Sequence, residues 1–207
     1  MSVSGVRRAR LGILGGTFDP PHAGHVAAAV ACRDRLGLDR VLFVVANDPW
    51  QKSPVRAVTP VEDRLAMVAA AVEGTPGAEV SRIEVDRGGP SYTIETVEAL
   101  AGAARSGGAP PPEQFLIVGA DVVDTLSTWH RVGDLARAVT LVVVGRPGIE
   151  TPEAVPGWRL EVIGGTGVDV SSSEVRALVA AGRPIGGLVP ESVERCIGRR
   201  GLYAVLR

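Results

Sequence analysis

The sequence lacks a disulfide framework, a long apolar run and a charge excess of either sign. Its two cysteines, Cys32 and Cys196, show no CxxC spacing, which favours free thiols in a reducing compartment. The 22 Lys and Arg side chains nearly balance 23 Asp and Glu, so the overall charge indicates neither a nucleic-acid nor an anionic-membrane partner. We therefore expect any bound anion to be held by local groups.

No stretch reaches the roughly 18 uninterrupted apolar residues of a membrane span. The basic residues Arg7, Arg8 and Arg10 lead into a run that is too short and too rich in glycine for a signal peptide. These absences predict a soluble, cytoplasmic protein. A length of 207 residues lies within the range that one α/β domain can fill, so we expect residues 1–207 to form a single domain.

Apolar, β-branched runs alternate with stretches of helical periodicity along the chain. The runs predict strands at 11–14, 40–46, 78–85, 114–119, 139–145 and 159–163. The helical stretches lie at 26–36, 61–72, 93–104, 122–126, 175–181 and 192–197. Several runs are continuous, as in strands buried on both faces. The pattern predicts an α/β, Rossmann-like, doubly wound and mostly parallel sheet with helices on both faces, whose ligands bind beyond the carboxyl ends of the strands.

The stretch GGTFDPPHAGH, residues 15–25, follows the first predicted strand. Gly15 and Gly16 would let the backbone pass close to a ligand. Pro21 suits the first turn of a helix, so the spacing predicts a helix that begins at about Pro21 or His22. His22 and His25 then lie on one face of the first turn, beside free N–H groups and the positive end of the helix dipole. This arrangement predicts an anion site.

Other interpretations of the two histidines require other residues or motifs in the sequence. A zinc pair would need a third ligand, and neither His130 nor any carboxylate has a recognisable spacing for it. A dinucleotide-binding dehydrogenase would carry G-x-G-x-x-G, which is absent. The histidines could also be ordinary core or surface residues, which is the minority interpretation for two of them at a glycine-rich helix start.

The stretch GGTFDPPHAGH resembles the GGTFDPxHxGH signature of nucleotidyltransferases of the HxGH class, and most closely the nicotinate-nucleotide branch. The resemblance implies that a mononucleotide phosphate attacks the α-phosphorus of ATP and that pyrophosphate leaves. It assigns His22 and His25 to catalysis and to ATP, and Gly15, Gly16, Thr17 and Phe18 to ATP. Mg²⁺ is the expected cofactor, because the leaving group is pyrophosphate.

A second motif, DVSSSEVRAL, spans residues 169–178. Ser171 and Glu174 form an S-x-x-E capping box, which would by itself explain the segment. The segment also resembles the ISSTxIR motif of the same class, which lies against the ATP phosphates. That resemblance assigns Ser171, Ser172 and Ser173 to ATP binding and Arg176 to ATP binding and catalysis, since a guanidinium suits phosphate oxygens.

Two stretches resemble parts of the nicotinate-nucleotide branch that contact the acceptor. In NDPWQK, residues 47–52, the resemblance implies that Lys52 approaches the substrate phosphate, with Trp50 beside it. In RGGPSYTIETV, residues 87–97, it implies that Thr93 meets the nicotinate carboxylate at a helix start, where free N–H groups favour an anion. An ordinary surface lysine remains the alternative for Lys52.

Two further stretches, VGADVVDTLSTWHR and VVGRPG, also resemble this branch. The resemblance implies that Gly119 and Asp121 lie near a ribose, that Trp129 stacks on the pyridine ring and that Arg146 lies near ATP. Helix capping for the aspartate, packing for the tryptophan and a structural turn for the arginine are the alternatives. His130 receives no role.

We expect adenylyl transfer from ATP to nicotinate mononucleotide, with ATP and this mononucleotide as the partners. The alternatives are a sibling adenylyltransferase for phosphopantetheine or nicotinamide mononucleotide, and a non-catalytic nucleotide-binding domain. A dehydrogenase would need a second domain, for which the length leaves little room. The sequence leaves homo-oligomerisation open.

Overall fold

The computed structural model describes residues 7–49, 57–146 and 148–204. Lys52 and Trp50 lie outside these ranges. The described strands are β1 (Arg10–Gly16), β2 (Arg40–Val45), β3 (Ala78–Ser81), β4 (Glu113–Gly119), β5 (Thr140–Val144) and β6 (Arg159–Ile163). They form one six-stranded sheet in the order β3-β2-β1-β4-β5-β6, and every neighbouring pair is parallel. This is the strand order of a doubly wound Rossmann-like sheet, so the predicted fold class is confirmed.

Seven α-helices and one 3₁₀ segment are found in the described ranges. The helices are α1 (Ala23–Leu36), α2 (Val61–Val72), α3 (Ile83–Arg87), α4 (Thr93–Ser106), α5 (Val132–Ala138), α6 (Ser172–Ala180) and α7 (Glu191–Arg200). The 3₁₀ segment spans Ala120–Thr128. No helix in the described part of the chain is both long enough and apolar enough to cross a bilayer.

The central strands are buried on both faces, as their continuous apolar runs predict. In β2 every residue from Val41 to Val45 is buried. One face packs against α1 and α2 through side chains such as Phe43 and Ala29, and the other face packs against α4 and α5 through Leu42 and Ile94. A third cluster joins α2, α6 and α7. This cluster contains Val170 and Val175 of the second motif and so helps to hold that motif beside the first one, near the carboxyl end of β1.

Three local expectations differ from the structure. The strand predicted at 78–85 ends at Ser81, because the backbone of Arg82 leaves the extended region and α3 follows. The predicted helix at 122–126 is part of the 3₁₀ segment. The structure adds α5, which at seven residues is too short to show a clear helical period.

The first helix begins slightly later than the proline spacing predicts. α1 starts at Ala23, and the extended backbone of His22, with φ −137° and ψ 171°, makes it the N-cap residue. His25 is then the third residue of the helix. The two histidines still share one end of α1, but His22 precedes the first turn.

Candidate functional site

The strand order reverses between β1 and β4, and the site lies beyond the carboxyl ends of these two strands. Gly15 and Gly16 end β1, and Gly119 ends β4. A Cβ added at Gly15 would point into open space. This glycine therefore leaves the floor of the crevice open to a ligand, at the place where doubly wound folds bind one.

Two cavities open from this crevice. The first, of about 440 Å³, is lined by His22 and His25 and is called the histidine cavity. The second, of about 380 Å³, is lined by Trp129 and is called the tryptophan cavity. Both are lined by Gly15, Gly16, Thr17, Val118, Asp121 and Val122. Two ligands could therefore meet over the same short stretch of backbone.

The structure brings most of the predicted site residues into these two cavities. The histidine cavity is lined by Gly15, Gly16, Thr17, Phe18, His22, His25, Gly119, Asp121, Arg146, Ser171, Ser172, Ser173 and Arg176. The tryptophan cavity is lined by Thr93, Asp121 and Trp129. Lys52 falls outside the described residues, so its role stays a prediction.

His22 and His25 form a stacked pair at the start of α1. Their ring centroids lie 3.7 Å apart, and the planes differ by 28°. Nδ1 of His25 accepts a hydrogen bond of 3.1 Å from the backbone N–H of His22. A neutral His25 must therefore carry its proton on Nε2. The ring of Phe18 packs edge-on against His25, at 5.0 Å between centroids.

His22 is a buried imidazole that stays neutral near neutral pH. It is only 4 % exposed. Burial, and secondarily the positive charge of Arg146, lowers its pKa to about 4. Its buried Nδ1 makes no hydrogen bond to the described residues. A Cβ at Gly24 would lie 3.1 Å from this Nδ1, so the glycine of the motif keeps space beside the ring. His22 therefore has an unused polar atom at the wall of the histidine cavity.

The second motif holds the loop of the first. Ser172 Oγ donates a hydrogen bond of 2.8 Å to the carbonyl of Pro20, which lies 152 residues away in the chain. Arg176 Nη1 donates to the carbonyl of Asp19 at 2.7 Å, and its Nη2 donates to Ser173 Oγ at 3.0 Å. Arg176 thus both lines the cavity and anchors the loop, which spacing alone does not indicate.

Ser171 is the N-cap of α6, as the capping box predicts. Its hydroxyl oxygen accepts a hydrogen bond of 3.1 Å from the backbone N–H of Glu174. The other N–H groups of the first turn lack intrahelical acceptors, and the helix dipole is positive at this end. The start of α6 therefore suits a negatively charged ligand in the histidine cavity.

Asp121, which lines both cavities, forms an ion pair with Arg146, which lines the histidine cavity. Arg146 Nη1 lies 3.3 Å from Asp121 Oδ2, and Arg146 Nη2 donates to the carbonyl of Val170 at 3.1 Å. Both side chains are partly exposed, and an exposed ion pair contributes little to stability. The pair can therefore rearrange around a ligand at little cost.

The tryptophan cavity combines an aromatic wall with a helix start. Thr93 is the first residue of α4, and Tyr92 is its N-cap. The rings of Tyr92 and His130 lie 4.4 Å apart, so the unassigned histidine belongs to this wall. Nε1 of Trp129 is buried and has no partner among the described residues. The cavity offers flat apolar surface beside N–H donors.

Glu84 is a buried carboxylate of the tryptophan cavity that the motifs do not indicate. It is 7 % exposed and accepts a hydrogen bond of 2.6 Å from the hydroxyl of Thr96. Arg87 Nη1 donates to the same hydroxyl at 3.2 Å. The sequence did not indicate Glu84, because Glu84 lies in a stretch predicted as a strand, and a strand would have given it a different neighbour.

Arg64 is a second residue that the sequence does not single out, and it supports the floor of the site. It is 2 % exposed. Its guanidinium donates to four backbone carbonyls at 2.7 to 3.3 Å, those of Thr17, Ala46, Asn47 and Thr59. The arginine joins the end of β1, the end of β2 and the start of α2. No local pattern marks an arginine of a helix for this task.

Metal ligands are scarce in the site. Among residues 7–49, 57–146 and 148–204, no group of three or more His, Cys, Asp or Glu side chains is arranged to hold a metal ion. The carboxylates of Asp19 and Asp121 line the histidine cavity separately. A divalent cation bound here would be coordinated mainly by atoms of the bound molecule that it accompanies.

Comparison with known sequences agrees with this geometry. The sequence profile of the cytidylyltransferase-like family matches residues 13–178, a range that contains both motifs and the lining of both cavities. Several curated proteins named "Probable nicotinate-nucleotide adenylyltransferase" are also similar. The one from Acidothermus cellulolyticus is 39% identical over 95% of this chain and 95% of its own, and the one from Corynebacterium kroppenstedtii is 43% identical over 94% and 90%.

Solved structures show the same fold. The nicotinic acid mononucleotide adenylyltransferase of Plasmodium falciparum, complexed with NaAD, superposes with a TM-score of 0.78. The alignment covers 94% of this chain and 97% of the other, at 14% sequence identity. At that identity the likeness concerns the fold alone.

Proposed function

Because this chain belongs to the cytidylyltransferase-like family and, within it, to the nicotinate-nucleotide adenylyltransferases, we propose that it transfers an adenylyl group from ATP to nicotinate mononucleotide. The products are nicotinate adenine dinucleotide and pyrophosphate. The reaction is a step of NAD biosynthesis. The observation that carries the proposal is the meeting of two cavities over Gly15, Gly16 and Thr17. One nucleotide in each cavity would bring their phosphates together above this loop.

ATP occupies the histidine cavity in this proposal. Its triphosphate lies against the start of α1, the start of α6 and Arg176, which together provide N–H donors and positive charge. His22 donates from its neutral ring, and the phosphate charge raises the tendency of that ring to take up a proton. Gly119, Asp121 and Arg146 lie where the nucleoside would approach β4 and β5.

Nicotinate mononucleotide occupies the tryptophan cavity. Trp129 supplies a flat surface for the pyridine ring, and Thr93 supplies a hydroxyl at the N-terminus of α4 for the carboxylate. Lys52 stays in the proposal as a contact of the substrate phosphate on the strength of its motif. The shared residue Asp121 lies between the two nucleotides, within reach of a ribose on either side.

The chemical step needs alignment more than proton transfer. A phosphate oxygen of the mononucleotide attacks the α-phosphorus of ATP, and a new P–O bond forms as the bond to pyrophosphate breaks. The electron pair of the broken bond leaves with pyrophosphate. A phosphate monoester is already largely ionised near neutral pH, so no general base is needed. His22, His25 and Arg176 stabilise the charge that develops on the transferred group.

Mg²⁺ fits this site as a companion of ATP. Magnesium keeps several water ligands and is commonly held by substrate phosphates with one or two carboxylates. The described residues offer separate carboxylates and no cluster of three, which suits that mode and not a cage of protein ligands. When bound, the ion neutralises charge on the leaving pyrophosphate.

The preference for the acid over the amide tests the substrate assignment. The N–H groups at the start of α4 favour a carboxylate but face the NH₂ of an amide with further donors. We expect kcat/KM for nicotinate mononucleotide to exceed that for nicotinamide mononucleotide by about 10²-fold or more. Thr93→Ala should lower this ratio. The kcat/KM values for the acid and the amide are both measured at saturating ATP and Mg²⁺.

Thr75→Ala is the matched control, because Thr75 lies in the turn between α2 and β3 and lines neither cavity. It should leave the ratio unchanged. Equal values for acid and amide in the wild type would contradict the nicotinate assignment. Pyrophosphate release with phosphopantetheine would instead favour a sibling enzyme, and silence with every acceptor would favour a binding domain.

The proposal treats residues 1–207 as one nucleotidyltransferase domain, supported by the single sheet that carries both motifs. It places the protein in the cytoplasm, supported by Cys32 and Cys196, which are both free and buried. Neither a nucleic acid nor a membrane is among the proposed partners. Sedimentation of the full chain measures whether it forms a homo-oligomer.

A further inference from the structure

Tyr203 lies close to the C-terminus and reaches the loop of the first motif. Its hydroxyl donates a hydrogen bond of 2.8 Å to Oδ1 of Asp19, 184 residues away in the chain, and lies 3.6 Å from the sulfur of Met67. The backbone of Tyr203 has φ 64°, in the left-handed region that bulky residues seldom adopt. Such strain persists only where the surrounding structure holds it, and it is common at functional sites.

Asp19 is an unfavourable neighbour for a triphosphate. It is 1 % exposed and lines the histidine cavity. Its backbone carbonyl also accepts the hydrogen bond from Arg176. A carboxylate beside phosphates repels them, and the repulsion is strong where little water separates the charges. Groups that hydrogen-bond the carboxylate can hold this charge away from the ligand, and the backbone N–H of Thr59 donates to its Oδ2 at 3.5 Å.

The phenol of Tyr203 is suited to that task. Burial and the negative charge of Asp19 both raise the pKa of Tyr203, so the hydroxyl keeps its proton and remains a donor at all physiological pH values. A hydrogen bond to a charged group is about twice as strong as one between neutral groups. The bond holds Oδ1 towards the C-terminal turn.

We propose that Tyr203 is a positioning residue for ATP: its hydroxyl holds the Asp19 carboxylate, and with it the loop of residues 17–22, in the arrangement that accepts the triphosphate. This inference rests on the proposed function, which assigns ATP to the histidine cavity. The tryptophan cavity is lined by neither Asp19 nor Tyr203. The acceptor nucleotide should therefore be insensitive to the hydroxyl.

Tyr203→Phe tests the proposal, because it removes the hydroxyl and keeps the ring. We expect the KM for ATP to rise about tenfold, since one hydrogen bond to a charged group is lost, with the KM for nicotinate mononucleotide within about twofold of the wild type. The Kd of ATP with Mg²⁺, measured by calorimetry without an acceptor, should rise by the same factor. Thermal melts identify a temperature at which every variant is folded.

Ser192→Ala is the matched control. Its hydroxyl donates to the carbonyl of Ala70 at 2.6 Å and also joins the C-terminal part of the chain to α2, but it lines neither cavity. It should lower the melting temperature and leave both KM values unchanged. If Tyr203→Phe behaves in the same way, the hydroxyl is merely structural and the proposal is wrong.

The Asp19→Asn background provides a second measurement. Without the negative charge, removal of the hydroxyl should change the Kd of ATP by less than about twofold, so the two substitutions should be strongly non-additive. A full tenfold effect in the double variant would overturn the proposal. A wild type that binds ATP but forms no dinucleotide would refute the proposed function instead, and the Kd series would still decide the role of Tyr203.

Discussion

His22 and His25 stack at 3.7 Å between ring centroids, and the backbone N–H of the first bonds Nδ1 of the second. The bond fixes the tautomer of His25, and the stack holds both rings at one wall of the histidine cavity. Each ring therefore orients the other. On the proposed function, the two imidazoles act on the transferred phosphate as one unit.

His22→Ala and His25→Ala should each lower kcat about 10²- to 10³-fold, by analogy with the loss of one oxyanion donor. The loss of kcat in the double variant should be well below the product of the two single losses, because the residues act together. Steady-state rates and thermal melts on the same preparations check this expectation. Near-normal turnover combined with early melting in either variant would make that histidine structural.

The buried state of His22 predicts how stability depends on pH. The folded protein lowers the pKa of this group from 6.5 to about 4, through burial first and Arg146 second. The unfolded chain therefore binds the proton more readily between these values, and stability falls as the pH drops from about 6.5 towards 4. At the full shift, the group accounts for about 3 kcal/mol of this loss.

His22→Asn should remove that component, because asparagine does not titrate. The free energy of unfolding, measured by urea titration at several pH values between 7 and 4, should then fall less steeply than in the wild type. Parallel curves for the two proteins would show that His22 is not the group responsible. The comparison is made without ATP, since phosphate would favour the protonated ring.

Ser171 and Arg176 separate capping from phosphate binding at the start of α6. Ser171→Ala should cost about 1 kcal/mol of stability, because the bond to the N–H of Glu174 is lost. Arg176→Ala should mainly raise the KM for ATP. Arg195→Ala is the control, since this exposed arginine pairs with Glu191 on α7. An Arg176→Ala enzyme with unchanged ATP kinetics would contradict the phosphate role.

Arg64 should be required for folding more than for chemistry. Arg64→Met removes the donor of four backbone carbonyls, and unsatisfied buried acceptors cost about 1 to 3 kcal/mol each. We expect a loss of at least about 4 kcal/mol in denaturant titrations, with Arg64→Lys in between because an ammonium has fewer donors. A loss of less than about 1 kcal/mol for Arg64→Met would show that the bonds contribute little.

The doubly wound sheet could be predicted because its information is local. Continuous apolar runs mark strands that are buried on both faces, and six of them separated by helical stretches admit few other arrangements. The predicted strand at 78–85 is too long, because the backbone of Arg82 leaves the extended region and α3 follows. α3 places Glu84 against Thr96 of α4, and the sequence around residue 84 does not indicate this contact.

The first motif indicated an anion site by its glycine-rich strand-to-helix turn and its histidine spacing, whereas the second motif by itself indicated only a helix cap and received its ATP role from the family resemblance. The structure brings Ser172 to Pro20 and Arg176 to Asp19, which the motifs alone do not indicate. The sequence therefore indicated the residues of the candidate site but not the hydrogen bonds between them.

What only the tertiary structure decided is which side chains hold the loop in place. Local periodicity determines where a helix or strand forms and which face is apolar, because those properties repeat every few residues. The bond between Tyr203 and Asp19 spans 184 residues and exists because α7 packs against α2 at the edge of the site. No repeat encodes such a contact, so it follows from packing alone.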